Sequence, residues 1–318
     1  MAHQLEIVNG KAQMAYRESS GVPWHGLGVP VHDNMTPQEM MEAAGLDWTV
    51  RLENSFVDLN GEKILTGQQA LVRESDGKIL TNVGGQWNPC QNAEAFDFFS
   101  EFVKAGDMVM DTAGSLKDGQ IVFAAADVRD GFELFGGDEV KGYLLFSNPH
   151  VYGRSIDVKF VMTRVVCNNT LSIALTEKNQ PSIRVSHRTK LDTEMVKEAL
   201  GLSSARIHQF KEAAEFLGSK RYKDEDFKRF LGKVFGTSVL DKKELSRTAK
   251  QAYELVETQP GAEFARGSWW SAYNTVTYMT DHQMGRAADT RAESAWFGSN
   301  AKRKLDALDL AIEMAEVA

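Results

Sequence analysis

The stretch Thr163-Arg164-Val165-Val166-Cys167-Asn168-Asn169-Thr170-Leu171 joins an apolar strand pattern to two adjacent asparagines. It predicts a strand that ends in a tight turn at Asn168-Asn169, followed by the start of a helix. Such a turn points backbone amide groups outward, where they can bind a polar partner. Because basic residues stand on both sides of the stretch, the expected partner is an anion. The candidate nucleic-acid-binding residues are Arg154, Lys159, Arg164, Asn168, Asn169, Arg184, Arg188 and Lys190.

The chain before residue 190 shows mostly strand and turn patterns. The dipeptides Asn60-Gly61 and Asp76-Gly77 predict two β-hairpins. The sequence Thr36-Pro37-Gln38-Glu39 predicts a helix that begins with a capping box, and a second helix is expected over residues 92–105. Further strands are expected at Ile121–Ala126, Tyr143–Phe146, Ile156–Val166 and Ile183–His187. Strict alternation along the third of these strands would put Lys159 and Arg164 on opposite faces, which weakens the case for one shared groove.

The chain after residue 190 shows apolar residues at helical spacing. Helices are expected around Ile207–Leu217, Phe227–Val234, Leu245–Val256, Trp269–Met279 and Asn300–Val317. Strands followed by helices predict an α+β fold, with a β-rich antiparallel N-terminal half that contains inserted helices and a helical C-terminal half. We expect residues 1–190 to form the β-rich core and residues 191–318 to pack on it rather than to fold independently.

The net charge of the chain conceals an uneven distribution. The whole sequence has 36 basic and 44 acidic side chains, a net charge of -8. Residues 1–150 have 10 basic and 22 acidic side chains (net -12), residues 151–250 have 20 and 12 (net +8), and residues 251–318 have 6 and 10 (net -4). A bound polyanion responds to the local field, so the middle segment is where one would bind. The alternative is that the lysines and arginines of residues 205–250, which interleave with glutamates, only solvate helix faces.

Composition sets the broad class of protein. With 42% hydrophobic and 25% charged residues, the sequence is typical of a soluble globular protein. No stretch approaches the roughly 20 apolar residues of a membrane span, and the N-terminus lacks the pattern of an export signal. The two cysteines, Cys90 and Cys167, lie far apart in unlike contexts, as expected of free thiols in a reducing cytoplasm. We therefore expect a cytoplasmic protein with no membrane partner.

Motifs for catalysis and cofactors are scarce. The sequence has no phosphate-binding glycine loop of the Walker type and no paired cysteines or histidines at zinc spacing. We therefore expect no cofactor and no metal. Cys167 and His187 could in principle serve as a nucleophile and its base, but a cysteine at the end of an apolar strand usually serves as a small buried residue. We expect no enzyme, and an uncharacterised hydrolase remains the weakest alternative.

An aromatic segment runs from Gly267 to Tyr278. Two roles fit its residues on a helix: stacking on nucleic-acid bases, or packing of the helix onto the β layer. We prefer packing. The residues concerned are Trp269, Trp270, Tyr273 and Asn274.

Three stretches resemble the prokaryotic phage/plasmid-like protein family, the domain of unknown function numbered nine hundred and thirty-two. They are Pro23–Gly28, Thr163–Leu171, and Trp270–His282 together with Ala295–Gly298. The resemblance implies a home in phages, plasmids and integrated elements, but it brings no activity, catalytic residue or cofactor. The layout of hairpins, a helix and a helical C-terminal half is also similar to that of phage single-strand annealing proteins, which is a likeness of fold only.

These observations favour a non-enzymatic protein of a mobile element that binds single-stranded DNA in annealing or recombination. An acidic half beside a basic segment, together with open sheet edges, also predicts self-association into an oligomer larger than a dimer. The alternative from another class is an interaction protein that antagonises a host defence protein and uses the acidic N-terminal half as its surface.

Overall fold

The structure, a computed structural model, describes residues 5–21, 26–164, 169–172, 183–189, 203–238, 244–285 and 291–317. Asn168, Lys190 and Cys167 lie outside these ranges, and for Arg164 and Asn169 only the backbone is described. The fold is α+β, with a β-rich N-terminal half and helices mainly in the C-terminal half, as predicted. Within the described ranges, no helix is both long enough and apolar enough to cross a membrane.

The strands are β1 (Ile7–Val8), β2 (Lys11–Ala12), β3 (Met14–Arg17), β4 (Val29–Val31), β5 (Val50–Leu59), β6 (Glu62–Arg73), β7 (Ile79–Val83), β8 (Val109–Leu116), β9 (Ile121–Leu134), β10 (Asp138–Pro149), β11 (Ile156–Arg164), β12 (Asn169–Ser172) and β13 (Ile183–Val185). The α-helices are α1 (Pro37–Ala43), α2 (Asn92–Asp97), α3 (Ser100–Ala105), α4 (Ser203–Ser219), α5 (Asp224–Phe235), α6 (Arg247–Leu255), α7 (Trp269–Tyr278), α8 (Arg291–Phe297) and α9 (Ser299–Glu316). A short 3-10 turn covers Glu18–Ser20, and a π-helical turn, Met279–Gln283, continues α7.

Most strands belong to one eight-stranded sheet. Its order is β12-β11-β10-β9-β8-β3-β4, and β13 also pairs with β11. The pairs β3–β8, β8–β9, β11–β12 and β11–β13 are antiparallel, whereas β3 and β4 are parallel. A separate antiparallel sheet has the order β5-β6-β7, and β1 pairs with β2.

The chain divides into two compact units. Unit 1 comprises Met1–Arg129, Leu144–Lys159 and Ser182–Ala199, and unit 2 comprises Asp130–Tyr143, Phe160–Pro181 and Leu200–Ala318. Strands β9, β10 and β11 therefore have residues in both units. Two segments that the sequence analysis assigned to the β-rich half, residues 130–143 and 160–181, belong to the unit that contains the C-terminal helices.

Local sequence signals account for several elements of unit 1. The turn between β5 and β6 contains Asn60 and Gly61 with φ values of 57° and 91°, a conformation that these two residues adopt at low cost. Thr36 begins α1 with the predicted capping box: its hydroxyl accepts from the Glu39 backbone N–H, and the Glu39 carboxylate accepts from the Thr36 N–H at 2.8 Å. The helix expected over residues 92–105 is instead two short helices, α2 and α3.

The predicted helix start after Asn168-Asn169 is wrong. Residues Asn169–Ser172 form strand β12, which pairs with β11 so that Thr170 lies opposite Thr163 and Asn169 opposite Arg164. In unit 2, β12 also lies against α7 and α9. A strand partner and packed neighbours provide backbone hydrogen bonds and burial that a local helical pattern could not outweigh.

Candidate nucleic-acid interface

Three segments of unit 1 come together beside strand β13. The first is the loop of residues 84–88 after β7, the second is the turn of residues 151–155 before β11, and the third is residues 183–189. The Asn88 N–H donates to the His187 carbonyl at 2.7 Å, and the Tyr152 N–H donates to Thr81 Oγ1 at 3.3 Å. Antiparallel pairing places Ile156 opposite Val185, so the turn of residues 151–155 adjoins the chain just after β13.

Tyr152 is the exposed aromatic side chain of this surface. Its side chain is 65% exposed, and it stands two residues before Arg154, which is also exposed. Gly153 lies between them with φ of 83°, in the left-handed region that glycine adopts without strain. The turn thus carries an exposed aromatic residue and an exposed arginine two positions apart.

Two further arginines lie on the third segment. The Arg184 side chain is 65% exposed and faces Asp157 across the β11–β13 pair, with its Nε 3.5 Å from Asp157 Oδ2. Arg188 is exposed, its N–H donates to Ser186 Oγ at 3.2 Å, and its carbonyl accepts from Asn88 Nδ2 at 3.5 Å. The structure therefore gathers Arg154, Arg184 and Arg188, with Tyr152, on one part of unit 1.

A buried stack holds this surface in shape. The rings of Trp87 and His187 are stacked with their centroids 4.3 Å apart, and His187 is only 3% exposed. Its Nδ1 lies 3.3 Å from the Asn88 carbonyl oxygen. Burial lowers the pKa of His187, against the opposing effect of the Asn88 and Pro149 carbonyls. His187 thus joins residues 183–189 to the loop of residues 84–88.

The other predicted residues lie elsewhere. Lys159 is 3% exposed on a part of β11 that is buried on both faces, so its ammonium group is not offered to a surface partner. Arg164 and Asn169 are in unit 2, opposite each other in the β11–β12 pair, and belong to no described part of the surface in unit 1. Asn168 and Lys190 lie outside the described residues.

The aromatic set of α7 lies inside unit 2. Trp269, Trp270, Tyr273 and Asn274 are each at most 1% exposed. Trp270 Nε1 donates to the buried Asp138 Oδ2 at 3.0 Å, and the indole meets the Phe210 ring edge to face at 6.2 Å. Asn274 Nδ2 donates to the Trp270 carbonyl within the same helix at 2.8 Å. Rings buried in this way cannot stack on bases unless the helix opens.

Among the residues that the structure describes, groups suited to covalent or metal chemistry are few. Burial, followed by the nearby Glu94 carboxylate, raises the pKa of the Cys90 thiol to about 12, which removes the thiolate needed for nucleophilic attack. Cys167, the nucleophile of the hydrolase alternative, lies outside the described residues. In the part of the chain that the structure describes, no three His, Cys, Asp or Glu side chains are grouped to hold a metal ion.

The three arginines of this surface are among the residues predicted from sequence, because they stand around one strand, whereas Tyr152 is not. A signal was present in Tyr152-Gly153-Arg154, where an aromatic residue and a cation flank a glycine that can turn the chain. The loop of residues 84–88 was also missed, since its contact with residues 183–189 spans about a hundred positions of sequence.

Comparison with known proteins identifies the family of this chain. The family model described as "Domain of unknown function (DUF932)" matches residues 79–305, most of the chain, including Tyr152 and the three arginines. The match also contains the stretches Thr163–Leu171 and Trp270–His282, whereas Pro23–Gly28 lies outside it. No curated protein and no solved structure matches the chain. The chain belongs to the DUF932 family.

Proposed function

We propose that this protein is a non-enzymatic, single-stranded nucleic-acid-binding protein of a phage or plasmid that acts in annealing or recombination. The observation that carries the proposal is the exposed Tyr152 ring next to Arg154, on a surface that also bears Arg184 and Arg188.

The chemistry of this surface suits a single strand better than a duplex. An exposed ring can stack on an unpaired base of any identity, which contributes about 1–3 kcal/mol per base. Guanidinium groups beside the ring can bind the flanking phosphates and release their counterions. Stacking on base faces and ion pairs with phosphates do not read base edges, so a surface of this kind supports binding with little sequence preference.

Fluorescence anisotropy with a short labelled oligonucleotide tests the proposal. The parent should bind single-stranded DNA at low salt and bind duplex DNA of the same length more weakly. Tyr152→Ala should lose about tenfold in affinity, as expected for one stacked base, while Tyr152→Phe keeps the ring and should stay close to the parent.

The arginines need a control of equal charge. Arg154→Ala with Arg188→Ala should weaken binding, whereas Lys11→Ala with Lys104→Ala should leave it nearly unchanged. The latter pair removes two exposed positive charges from the same unit, at positions outside the three segments that form the proposed surface. If both double variants weaken binding equally, general charge and not this surface accounts for the affinity.

A second candidate function rests on the net charge of -12 in residues 1–150. An interaction protein that opposes a host defence protein could use such an acidic surface in place of DNA. No binding of any oligonucleotide at low salt with micromolar protein would remove the first proposal and favour this one.

A further inference from the structure

The hairpin of β5 and β6 ends in a part whose side chains are exposed on both faces. We call residues 54–66 the arm. Near its base, Val50, Leu71 and Val72 are buried at 4%, 0% and 9% exposure. Within the arm, the large apolar side chains are between 44% and 59% exposed. They are Phe56, Val57, Leu59, Ile64 and Leu65.

The strand pairing assigns these side chains to the two faces of the arm. Directly opposed residues share a face and successive residues alternate. Face 1 carries the pair Phe56–Leu65 and the pair Asp58–Lys63, and face 2 carries Val57–Ile64 and Leu59–Glu62. A surface segment that served only to solvate the protein would carry apolar residues on at most one face. Apolar side chains on both faces indicate that both faces are covered by a partner.

The charge of the arm excludes two classes of partner. The arm has one basic residue, Lys63, and two acidic residues, Asp58 and Glu62, a net charge of -1. Nucleic acid and anionic lipid both require positive charge on the surface that binds them. The arm therefore suits a protein partner.

A second copy of the arm fits both the apolar pattern and the charges. When face 1 of one arm lies on face 2 of another, Phe56 and Leu65 meet Val57 and Ile64, and Lys63 comes near Glu62 of the neighbouring copy. In contrast, two copies of face 2 in contact would bury apolar residues but bring together acidic groups only. Two copies of face 1 in contact could pair Lys63 with Asp58, which lies on the same face, but would leave the apolar residues of face 2 uncovered. We propose that the arm is a self-association surface and that face 1 of each copy packs on face 2 of the next.

The area of the arm sets the size of the assembly. Six residues of strand extend about 20 Å, and a two-stranded ribbon is about 10 Å wide, so each face offers about 200 Å². A stable interface of standard size buries about 800 Å² on each partner. One arm-to-arm contact is thus too small to hold a dimer. Contact through both faces that closes into a ring holds each copy twice, so that breaking one contact does not release it, and gives an assembly larger than a dimer.

Analytical ultracentrifugation of the full chain tests the surface. Over about 1 to 100 μM, a range suited to contacts below standard size, the parent should form species larger than a dimer. Val57→Thr with Ile64→Thr should give monomer, because every contact uses face 2 of one copy, and adding Phe56→Thr and Leu65→Thr should leave the protein monomeric. Threonine keeps strand propensity, and far-ultraviolet circular dichroism confirms that the fold is retained.

The control removes equally exposed apolar side chains from outside the arm. Val29→Thr with Ile79→Thr, at 42% and 61% exposure, should assemble like the parent. A monomeric parent at the highest concentration overturns the proposal. A parent whose assembly survives all four arm substitutions overturns it too, since another surface then forms the contact.

A charge exchange tests which faces meet. Lys63→Glu alone and Glu62→Lys alone should each raise the concentration of half-assembly several-fold. The double variant Glu62→Lys with Lys63→Glu should restore it, because the two charges have then exchanged faces. Failure to restore assembly overturns the contact of face 1 on face 2. The arm shares no residue with the proposed nucleic-acid surface, so the two proposals can fail separately. A monomer that binds DNA contradicts only the self-association of the arm. An assembly that does not bind DNA contradicts only the proposed function.

Discussion

His150 is a fully buried titratable side chain of unit 1. It is 0% exposed, its Nε2 lies 2.9 Å from Asn92 Oδ1, and its ring lies 5.1 Å from the ring of Trp48. Asn92 in turn donates to the Leu46 carbonyl at 2.9 Å, so the imidazole faces an acceptor whose orientation is fixed from the other side. Burial lowers the pKa of His150 to about 3, and repulsion from Arg73, and from His187 when it is protonated, adds to this effect.

The buried, neutral His150 predicts a loss of stability in mild acid. Its pKa is about 6.5 in an unfolded chain and lower in the fold, so the unfolded state binds the extra proton. The free energy of unfolding should therefore fall as pH drops below about 6.5, by up to about 1.4 kcal/mol per pH unit. Thermal melts between pH 8 and pH 5 measure this. His150→Gln retains a donor for Asn92 and should show a flatter dependence, and equal slopes in parent and variant would contradict the prediction.

The packing of helix α7 inside unit 2 depends on Trp270. The indole fills the interior of unit 2 and satisfies the buried Asp138 carboxylate. Trp270→Ala should destabilise the protein by about 3–5 kcal/mol, and Trp270→Phe by about 1–3 kcal/mol, because it removes one donor from a buried acceptor. The exposed Tyr152 is the matched control, since Tyr152→Ala should change stability by under about 0.5 kcal/mol. A Trp270→Ala protein that melts like the parent but loses DNA would make α7 a stacking platform.

Helix α9 is joined to the π-helical turn after α7 by an ion pair inside unit 2. Lys304 Nζ lies 2.8 Å from Asp281 Oδ1, with side-chain exposures of 0% and 6%. Burial lowers the pKa of Lys304, and the Asp281 carboxylate opposes that shift. Lys304→Met should cost about 3–5 kcal/mol, because a buried carboxylate loses its counter-charge, and adding Asp281→Asn should recover most of it.

The same helix supplies a control for this ion pair. Lys302 and Asp306 also pair at 2.8 Å, but their side chains are 72% and 59% exposed. Lys302→Met should therefore change stability by less than about 1 kcal/mol. Equal losses in urea unfolding for the two lysine variants would show that burial does not set the strength of these pairs.

Elements with a local cause could be predicted from sequence, and those with a distant cause could not. The Asn60-Gly61 hairpin and the capping box at Thr36 depend on residues within four positions of each other, and both are present. Strand β12 was wrongly predicted as the start of a helix. Its pairing with β11 and its packing on α7 and α9 are set by the tertiary fold, which the local sequence pattern does not reveal. The burial of Lys159 has a similar origin: alternation showed which face the lysine occupies but not that both faces of β11 are covered.

The proposed function requires a molecule with a net charge of -8 to bind a polyanion. Local positive charge can achieve this when salt screens the distant acidic groups. The Debye length is about 10 Å at 0.1 M salt and about 30 Å at 0.01 M, so the acidic groups act on the bound strand only at low ionic strength. Affinity should thus depend on salt in two regimes.

The salt dependence of DNA affinity is therefore the prediction for the whole molecule. Above about 0.1 M salt, the logarithm of the affinity should fall linearly with the logarithm of the salt concentration, because each phosphate contact to a single strand contributes about 0.7 to the slope. Arg154→Ala with Arg188→Ala should reduce the slope by about 1.4, and Lys11→Ala with Lys104→Ala should not change it.

Below about 0.03 M salt, the plot of log affinity against log salt concentration should flatten for the parent, because repulsion by the acidic groups then reaches the bound strand. Anisotropy titrations at six or more salt concentrations give both quantities. If the double arginine variant has the same slope as the parent, the phosphate contacts lie elsewhere. If the plot stays straight to the lowest salt concentration, the acidic residues do not oppose binding.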